Sequence, residues 1–194
     1  MKYILSVFSV IVLSIGSTNA QVAIKPTVGV NFTDFSKDPN SGKFKSKPGY
    51  QFGGSVAFGK KVYIEPGVFW VKKSTEFVEE GANPDNVKFD ISGIRIPVAV
   101  GFNLLGDEKS LVGLRAFGGA SAFILANAKA KGLSKDDFKN AAFGVFAGAG
   151  LDITIVFVEA KYEWSLTNIQ KDISQVDIGK SRSVFINAGV RIPL

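Results

Sequence analysis

Residues 156–166 read VFVEAKYEWSL, and this stretch decides the fold because apolar and charged side chains alternate along it. Val158 and Trp164 fall on one face of such a segment, whereas Glu159 and Glu163 fall on the other. Successive side chains of a β-strand point to opposite faces of the sheet. The alternation therefore predicts a strand with one apolar face and one charged face.

The same period of two recurs along residues 21–194, interrupted by Gly, Pro, Asn and Asp. It predicts eight strands, at residues 22–32, 50–59, 62–72, 89–103, 111–126, 141–152, 156–166 and 182–192. The connections alternate between long and short, so all the long ones fall at one end of the strands. This arrangement is typical of barrels that cross outer membranes. The sequence thus predicts an all-β fold for residues 21–194, an eight-stranded antiparallel up-and-down transmembrane β-barrel.

The first twenty residues have a different character from the remainder of the chain. Lys2 precedes a mostly apolar run at residues 3–15, and small residues lead to Ala20. A basic start, an apolar segment of this length and small residues before the cleavage point are typical of a secretory signal peptide. We expect cleavage after Ala20 and export to the bacterial outer membrane.

The composition excludes several kinds of chemistry. The chain has no Cys and no His, which removes thiol nucleophiles, disulfides, Ser-His-Asp triads and Cys/His zinc sites. A membrane hydrolase or acyltransferase would lack the histidine that usually activates its serine. We therefore predict that the protein is not an enzyme and needs no cofactor.

The net charge of +6, from 23 basic and 17 acidic residues, is spread along the chain. Scattered basic residues in an exported protein do not indicate nucleic-acid binding. Basic loops favour outer-membrane lipid, and lipopolysaccharide phosphates in particular, as neighbours.

The small residues and the aromatic residues indicate which face of each strand points outward. Glycine and alanine crowd the charged faces, and a narrow lumen needs small residues between its larger side chains. Four aromatic residues near strand ends on the apolar faces match a girdle at the lipid interface, namely Trp70, Phe102, Tyr162 and Trp164. Both features favour apolar faces in contact with lipid. The alternative is a soluble lipocalin-like carrier, which would turn these faces inward around an apolar ligand.

With the apolar faces outward, the charged faces would line the lumen. Buried charges are costly unless they are paired. We therefore predict a network of ion pairs that plugs the barrel, formed by Lys25, Glu65, Arg95, Arg115, Glu159, Lys161, Glu163 and Arg191. A narrow pore for small solutes is the alternative role for the same residues.

Three segments resemble a known family when they are taken in this order and spacing. They are YIEPGVFW at residues 63–70, IRIPVAVGF at residues 94–102 and VEAKYEWSLTNI at residues 158–169. Together they resemble the PorT-like outer-membrane β-barrel family, small eight-stranded barrels of Gram-negative bacteria, although Lys161 stands where an arginine is usual. The resemblance implies the fold and the location. It implies no single activity, since family members include a protein-secretion component and fold does not fix function.

The C-terminus resembles the signal by which the barrel assembly machinery recognises its substrates. The matching residues are Asn187, Gly189, Ile192 and Leu194, although the signal usually ends in an aromatic residue. We therefore expect a monomeric barrel with a structural or interaction role. It would act as a scaffold, an adhesion surface or a secretion accessory, and any protein partner would bind at its long extracellular loops.

Overall fold

The computed structural model describes residues 21–35, 42–79, 87–106, 110–129, 141–167 and 181–194. The predicted signal peptide at residues 1–20 lies outside the described residues, as do the central parts of the long connections. Within the described ranges, no helix is long and apolar enough to cross a membrane. The strands are β1 Val22–Phe35, β2 Gly42–Gly59, β3 Val62–Glu79, β4 Val87–Leu105, β5 Val112–Lys129, β6 Ala141–Ile153, β7 Val156–Ser165, β8 Ser181–Val190 and β9 Ile192–Pro193.

The strands form one closed antiparallel sheet. Each strand from β1 to β8 pairs with the next, and β1 pairs with both β2 and β8, so the sheet has no free side. The short strand β9 continues the register in which β8 pairs with β1. It is therefore the end of the eighth barrel strand. The predicted eight-stranded antiparallel barrel is therefore confirmed.

The register of the ladders fixes the dimensions of this barrel. Cross-strand partners followed once around the sheet lead from Val22 to Phe32 on the same strand, a shear of ten residues. The path runs through Phe58, Ile64, Val100, Gly118, Ala147, Tyr162 and Val184. Eight tilted strands enclose a space just wide enough for their own side chains. The lumen of this protein is therefore a packed interior.

The apolar faces point outward and the charged faces point inward. Val28, Val68 and Val100 are 62%, 57% and 55% exposed, whereas Lys25 and Arg95 are 2% and 0% exposed. A lipocalin-like barrel requires the opposite arrangement, because its apolar residues surround the ligand. The outer surface is thus an apolar band of the kind that only a lipid environment satisfies.

Strands β1 to β5 extend further into the long connections than the sequence predicts. Residues 33–49 and 73–88 were expected to form loops, but Gly42 to Lys47 pair with Glu79 to Ser74, and Val87 to Asp90 pair with Phe77 to Ser74. The physical reason is that ladder hydrogen bonds join backbone groups, so a strand continues where its side chains become polar. We call the added sheet the extended wall, comprising residues 42–49, 72–79, 87–92 and 125–129.

The short connections lie at the opposite end of the barrel from the extended wall. Gly59 and Gly106 have positive φ values of 123° and 81°, and Thr154 has a φ of 56°. The chain termini of the barrel lie at this same end, where the backbone amide of Leu194 donates to the carbonyl oxygen of Val22 at 2.8 Å. We call this the short-turn end.

Candidate functional site: the barrel interior

Glu159 is the central acceptor of the charged interior. It lies on β7 and is 3% exposed. Its carboxylate accepts hydrogen bonds from Lys161 Nζ at 2.6 Å, Arg115 Nη2 at 3.1 Å and Asn187 Nδ2 at 3.1 Å, and Lys25 Nζ lies 3.7 Å away. One carboxylate thus compensates three buried cations that come from three different strands.

Glu65 on β3 is the second acceptor, on the opposite wall of the lumen. Both of its oxygens accept from Lys25 Nζ, at 2.8 and 2.9 Å, and Ser55 Oγ donates to one of them at 2.8 Å. Arg115 connects the two carboxylates, since its Nη1 lies 3.9 Å from Glu65 while its Nε donates to Asp152 at 3.1 Å. The pairs around Glu65 and Glu159 therefore form one continuous network across the barrel.

Glu163 organises a second group of charges, further from the short-turn end. Arg95 donates to its carboxylate through Nε at 2.8 Å and through Nη2 as well, and Ser121 Oγ donates at 2.8 Å. Lys73 Nζ lies 3.8 Å from Glu163 and donates to Ser183 Oγ at 3.2 Å. Strands from opposite sides of the barrel are thereby joined through its centre.

Aromatic rings complete the environment of these cations. Lys25 Nζ and the Arg115 guanidinium lie 4.4 and 5.0 Å from the ring centroid of Phe157, and the Arg95 guanidinium lies 4.9 Å from that of Phe185. The face of an aromatic ring attracts a cation, the more so where water is excluded. The rings therefore stabilise the charged form of side chains that burial would otherwise penalise.

An apolar layer fills the lumen on the side of the extended wall. Its members are buried inward-facing side chains, Phe69, Val71, Ile91, Phe123, Leu125, Ala142 and Phe185. The interior thus consists of a charged layer around Glu65 and Glu159 towards the short-turn end, and above it the apolar layer, which packs around the second group of charges at Arg95, Glu163 and Lys73. The sequence interpretation anticipated only the charged layer.

The structure brings seven of the eight predicted lumen charges together as buried, paired side chains. The exception is Arg191, which is partly buried and forms no ion pair with any residue that the structure describes. Sequence reasoning missed Lys73 and Asp152. Lys73 follows Phe69 and Val71 at intervals of two, so the inward alternation was the signal that would have found it.

A comparison with protein families assigns this architecture. The family model described as outer membrane protein beta-barrel domain matches residues 17–171, most of the chain. The chain belongs to this family. It is an outer-membrane β-barrel protein, and the bacterial outer membrane is its location.

Two solved structures share the fold of this outer-membrane barrel at low sequence identity, and a third shows a weaker similarity. The outer membrane protein OprG of Pseudomonas aeruginosa is 12% identical, with a TM-score of 0.50 over 92% of this chain and 97% of that one. Neisserial surface protein A is 14% identical, with a TM-score of 0.50 over 90% and 99% of the two chains. The attachment invasion locus protein Ail of Yersinia pestis is 17% identical, with a TM-score of 0.44 over 89% and 97%. No curated protein matches the sequence.

The four predicted interface aromatics all lie on the outer face of this outer-membrane barrel. Phe102 lies near the short-turn end, where Lys61 Nζ is 5.5 Å from its ring centroid. Trp70, Tyr162 and Trp164 lie towards the other end of the strands, and the rings of Tyr162 and Trp164 are 4.6 Å apart. Further exposed aromatics that the sequence interpretation did not include lie in that same half, namely Phe32, Tyr50, Phe52 and Phe143.

The residues of the predicted assembly signal occupy both faces of the last strand. Asn187 is 1% exposed and bridges Gln51 to Glu159 within the lumen, so it also has a structural role. A Cβ at Gly189 would lie 2.3 Å from the carbonyl oxygen of Pro26. Ile192 and Leu194 are 49% and 76% exposed on the outside. Recognition of these residues by the assembly machinery stays a prediction.

Metal binding has no evident basis in the described parts of the chain. Residues 21–35, 42–79, 87–106, 110–129, 141–167 and 181–194 contain no group of three His, Cys, Asp or Glu side chains able to hold a metal ion.

Proposed function

We propose that this outer-membrane barrel is a closed membrane anchor whose lumen is plugged by its charged network. The observation that carries the proposal is the filled interior. A cavity lined by lumen side chains near the short-turn end has a volume of about 10 Å³, roughly the room that one water molecule needs. A solute would have to separate buried ion pairs in order to pass, and breaking one such pair costs about 3–5 kcal/mol.

A closed anchor acts through what it presents outside the membrane, and the extended wall is the part of the described structure suited to this role. Ser46, Lys47 and Asn127 are exposed on the wall, and its strands continue beyond the outer aromatics Tyr50 and Trp70. We therefore assign the protein a structural or interaction role, as a scaffold, an adhesion surface or a secretion accessory. The wall and the long loops next to it would contact a protein partner.

Lipopolysaccharide is the proposed lipid neighbour of this region. Lys47, Lys72 and Arg182 lie on the outer side of the barrel at or above the level of the outer aromatics. Cations at this level attract the phosphates of lipopolysaccharide, although Lys47 and Lys72 already pair with Glu76 and Asp90. Arg182 is therefore the strongest candidate for such a contact.

Membership of the PorT-like branch is the proposed finer identity. Two of the segments that carry the resemblance, residues 63–70 and 94–102, face each other on β3 and β4. No ladder partners occur between Pro66↔Val98 and Phe69↔Arg95, where Pro97 has no backbone N–H to donate. If the protein is a secretion accessory of this kind, deleting its gene removes specific proteins from the culture medium and re-expression restores them. Unchanged secretion would contradict this identity.

Targeting and assembly form the last part of the proposal. Cleavage after Ala20 would leave Gln21 as the first residue of the mature chain, directly before β1. Amino-terminal sequencing of protein purified from membranes should begin at Gln21. The barrel assembly machinery would then insert the chain as a monomer.

Conductance in planar bilayers tests the plugged lumen. The purified barrel should give no current steps, because the charged layer and the apolar layer both obstruct the path. The double variant Arg95→Ala, Glu163→Ala removes the ion pair that crosses the lumen within the apolar layer and should give small steps. Steps with the parent protein, altered in the variant, would instead identify a pore.

Site-specific crosslinking in intact cells tests the interaction role. A photoreactive residue at Ser46 on the extended wall should give an adduct of defined mass. The matched position Lys60 is exposed at the short-turn end and should give none of that mass. Equal adducts from both positions, or none from Ser46, would contradict the assignment of the wall as the binding surface.

A narrow pore remains the second candidate, favoured by unpartnered polar atoms inside the lumen. Asn31 Oδ1, Gln51 Oε1 and Arg95 Nη1 are buried without a hydrogen-bond partner. Buried polar groups of this kind are commonly satisfied by ordered water. A continuous file of such waters would conduct, and the bilayer measurement distinguishes it from the plugged barrel.

A further inference from the structure

The charged layer contains a small cavity near the short-turn end. Its volume of about 10 Å³ is roughly the room that a cavity needs in order to hold one water molecule. The cavity is lined by Lys25, Ala57, Tyr63, Glu65, Arg115 and Arg191. Three of these side chains are cations, and the carboxylate of Glu65 is already engaged by Lys25 and Ser55.

The hydroxyl of Tyr63 is the first group in this cavity that lacks a partner. The side chain is 3% exposed, and its hydroxyl has no acceptor for its proton among the described residues, because the neighbouring Arg115 guanidinium can only donate. Gly101 on the neighbouring strand makes room for it, since a Cβ there would lie 2.3 Å from the hydroxyl oxygen. A buried hydroxyl left unsatisfied is costly, so a group that accepts its proton is expected in the cavity.

The guanidinium of Arg191 is the second group in this cavity without a described partner. The register of the last strand, with Ile24 opposite Ile192 and Thr27 opposite Gly189, places Arg191 opposite Lys25. Like charges directly opposite each other on neighbouring strands are destabilising. Since Lys25 is paired with Glu65 and the partly buried Arg191 with no described residue, an anion beside Arg191 would be favourable.

The charge balance of the inward-facing side chains also favours a bound anion. Among the inward-facing side chains that the structure describes, six cations face four carboxylates, which leaves two positive charges in excess. The cations are Lys25, Lys73, Arg95, Arg115, Lys161 and Arg191, and the carboxylates are Glu65, Asp152, Glu159 and Glu163. An uncompensated charge in a packed interior is unfavourable, and a bound anion would reduce the excess.

We propose that this cavity is a binding site for a small monovalent anion of the size of chloride. The Tyr63 hydroxyl and the Arg191 guanidinium donate hydrogen bonds to the ion, and Lys25 and Arg115 supply the surrounding positive potential. The small volume of the cavity favours a monatomic ion. The site goes beyond the anchoring role, because it concerns only how the short-turn end of the lumen is closed.

Thermal unfolding of the full-length mature barrel in detergent tests the site. The unfolding midpoint should rise by several degrees, and saturably, when chloride replaces gluconate at constant ionic strength. Tyr63→Phe and Arg191→Gln should each lose most of this increment. Arg182→Gln alters an exposed arginine on the outer face of the same strand and should keep it. No difference between chloride and gluconate, or the same increment in all four proteins, would overturn the proposal.

Crystals grown in bromide provide a second test that does not depend on stability. An anomalous peak should lie within hydrogen-bond distance of both Tyr63 Oη and the Arg191 guanidinium. It should disappear in Tyr63→Phe crystals if the hydroxyl is a ligand. A water molecule at that position in bromide-soaked crystals would overturn the proposal, even where the unfolding midpoint responds to chloride.

Discussion

Glu159 shows how strongly single residues of the lumen depend on one another. Its carboxylate compensates Lys161, Arg115 and Lys25, and water cannot replace it because all four side chains are buried. Removing one partner of a buried charge group leaves the others uncompensated. Glu159 therefore stabilises the folded barrel mainly by compensating the charges of its neighbours. The strength of any one hydrogen bond matters less.

We predict that Glu159→Gln lowers the free energy of unfolding by about 3–5 kcal/mol. The substitution keeps the shape of the side chain but removes its charge and presents an amide donor to cationic donors. Urea unfolding of the barrel in lipid vesicles measures the change.

Asp90→Asn provides the matched control. Asp90 pairs with Lys72 at 2.8 Å, but both side chains are more than one third exposed, so the substitution should cost less than about 1 kcal/mol. Equal destabilisation by the two substitutions would contradict a special role for the buried network.

Sequence alone predicted seven of the buried, paired charges of this network, but it missed Lys73 and Asp152 and did not predict which side chains pair. The alternation in residues 156–166 fixes which side chains point inward, because the period of a strand is rigid. Which cation meets which carboxylate depends on the shear of the closed sheet. The shear follows from the register of the ladders, which the sequence does not reveal. Asp152 illustrates the point, since it reaches Arg115 from the neighbouring strand.

At the scale of the strand, the outward faces contact lipid, so their side chains affect the stability of the barrel in the membrane. Val98 lies on β4 and is 47% exposed among other apolar side chains of the outer face. We predict that Val98→Arg lowers the free energy of unfolding in lipid by about 2–4 kcal/mol, the cost of an arginine near the bilayer midplane. Equilibrium unfolding from vesicles measures it.

Val112→Arg places the same side chain at the short-turn end of β5. Val112 is 57% exposed, so its position differs from that of Val98 chiefly in depth. A cost of roughly 0–1 kcal/mol is expected there, as for positions near the interface. If both variants were equally destabilised, depth in the bilayer would not be the cause.

The ends of the strands were harder to predict than their middles. Residues 42–49 and 73–79 are rich in lysine, serine and glutamate, which is why they were interpreted as loops. Their pairing is set by the neighbouring strands, because β2 and β3 continue each other's ladder once the membrane portion has aligned them. Composition indicates where a strand leaves the apolar band, whereas only register indicates where it stops.

At the scale of the molecule, closure makes the barrel cooperative. Every strand from β1 to β8 has two partners, so no strand separates without opening two ladders. We predict that the mature protein recovered from the outer-membrane fraction migrates faster on a denaturing gel when unboiled than when boiled. A single band at one position in both samples would contradict a closed barrel that resists detergent.

The unequal strand lengths make two sides of the barrel different from each other. Strands β2 to β5 have 18 or 19 residues, whereas β6, β7 and β8 have 13, 10 and 10. The described rim is therefore high on one side and low on the other. A partner that engages the high side would fix the rotation of the barrel about the membrane normal. Neighbouring copies held in this way would all have the same rotational orientation within the plane of the membrane.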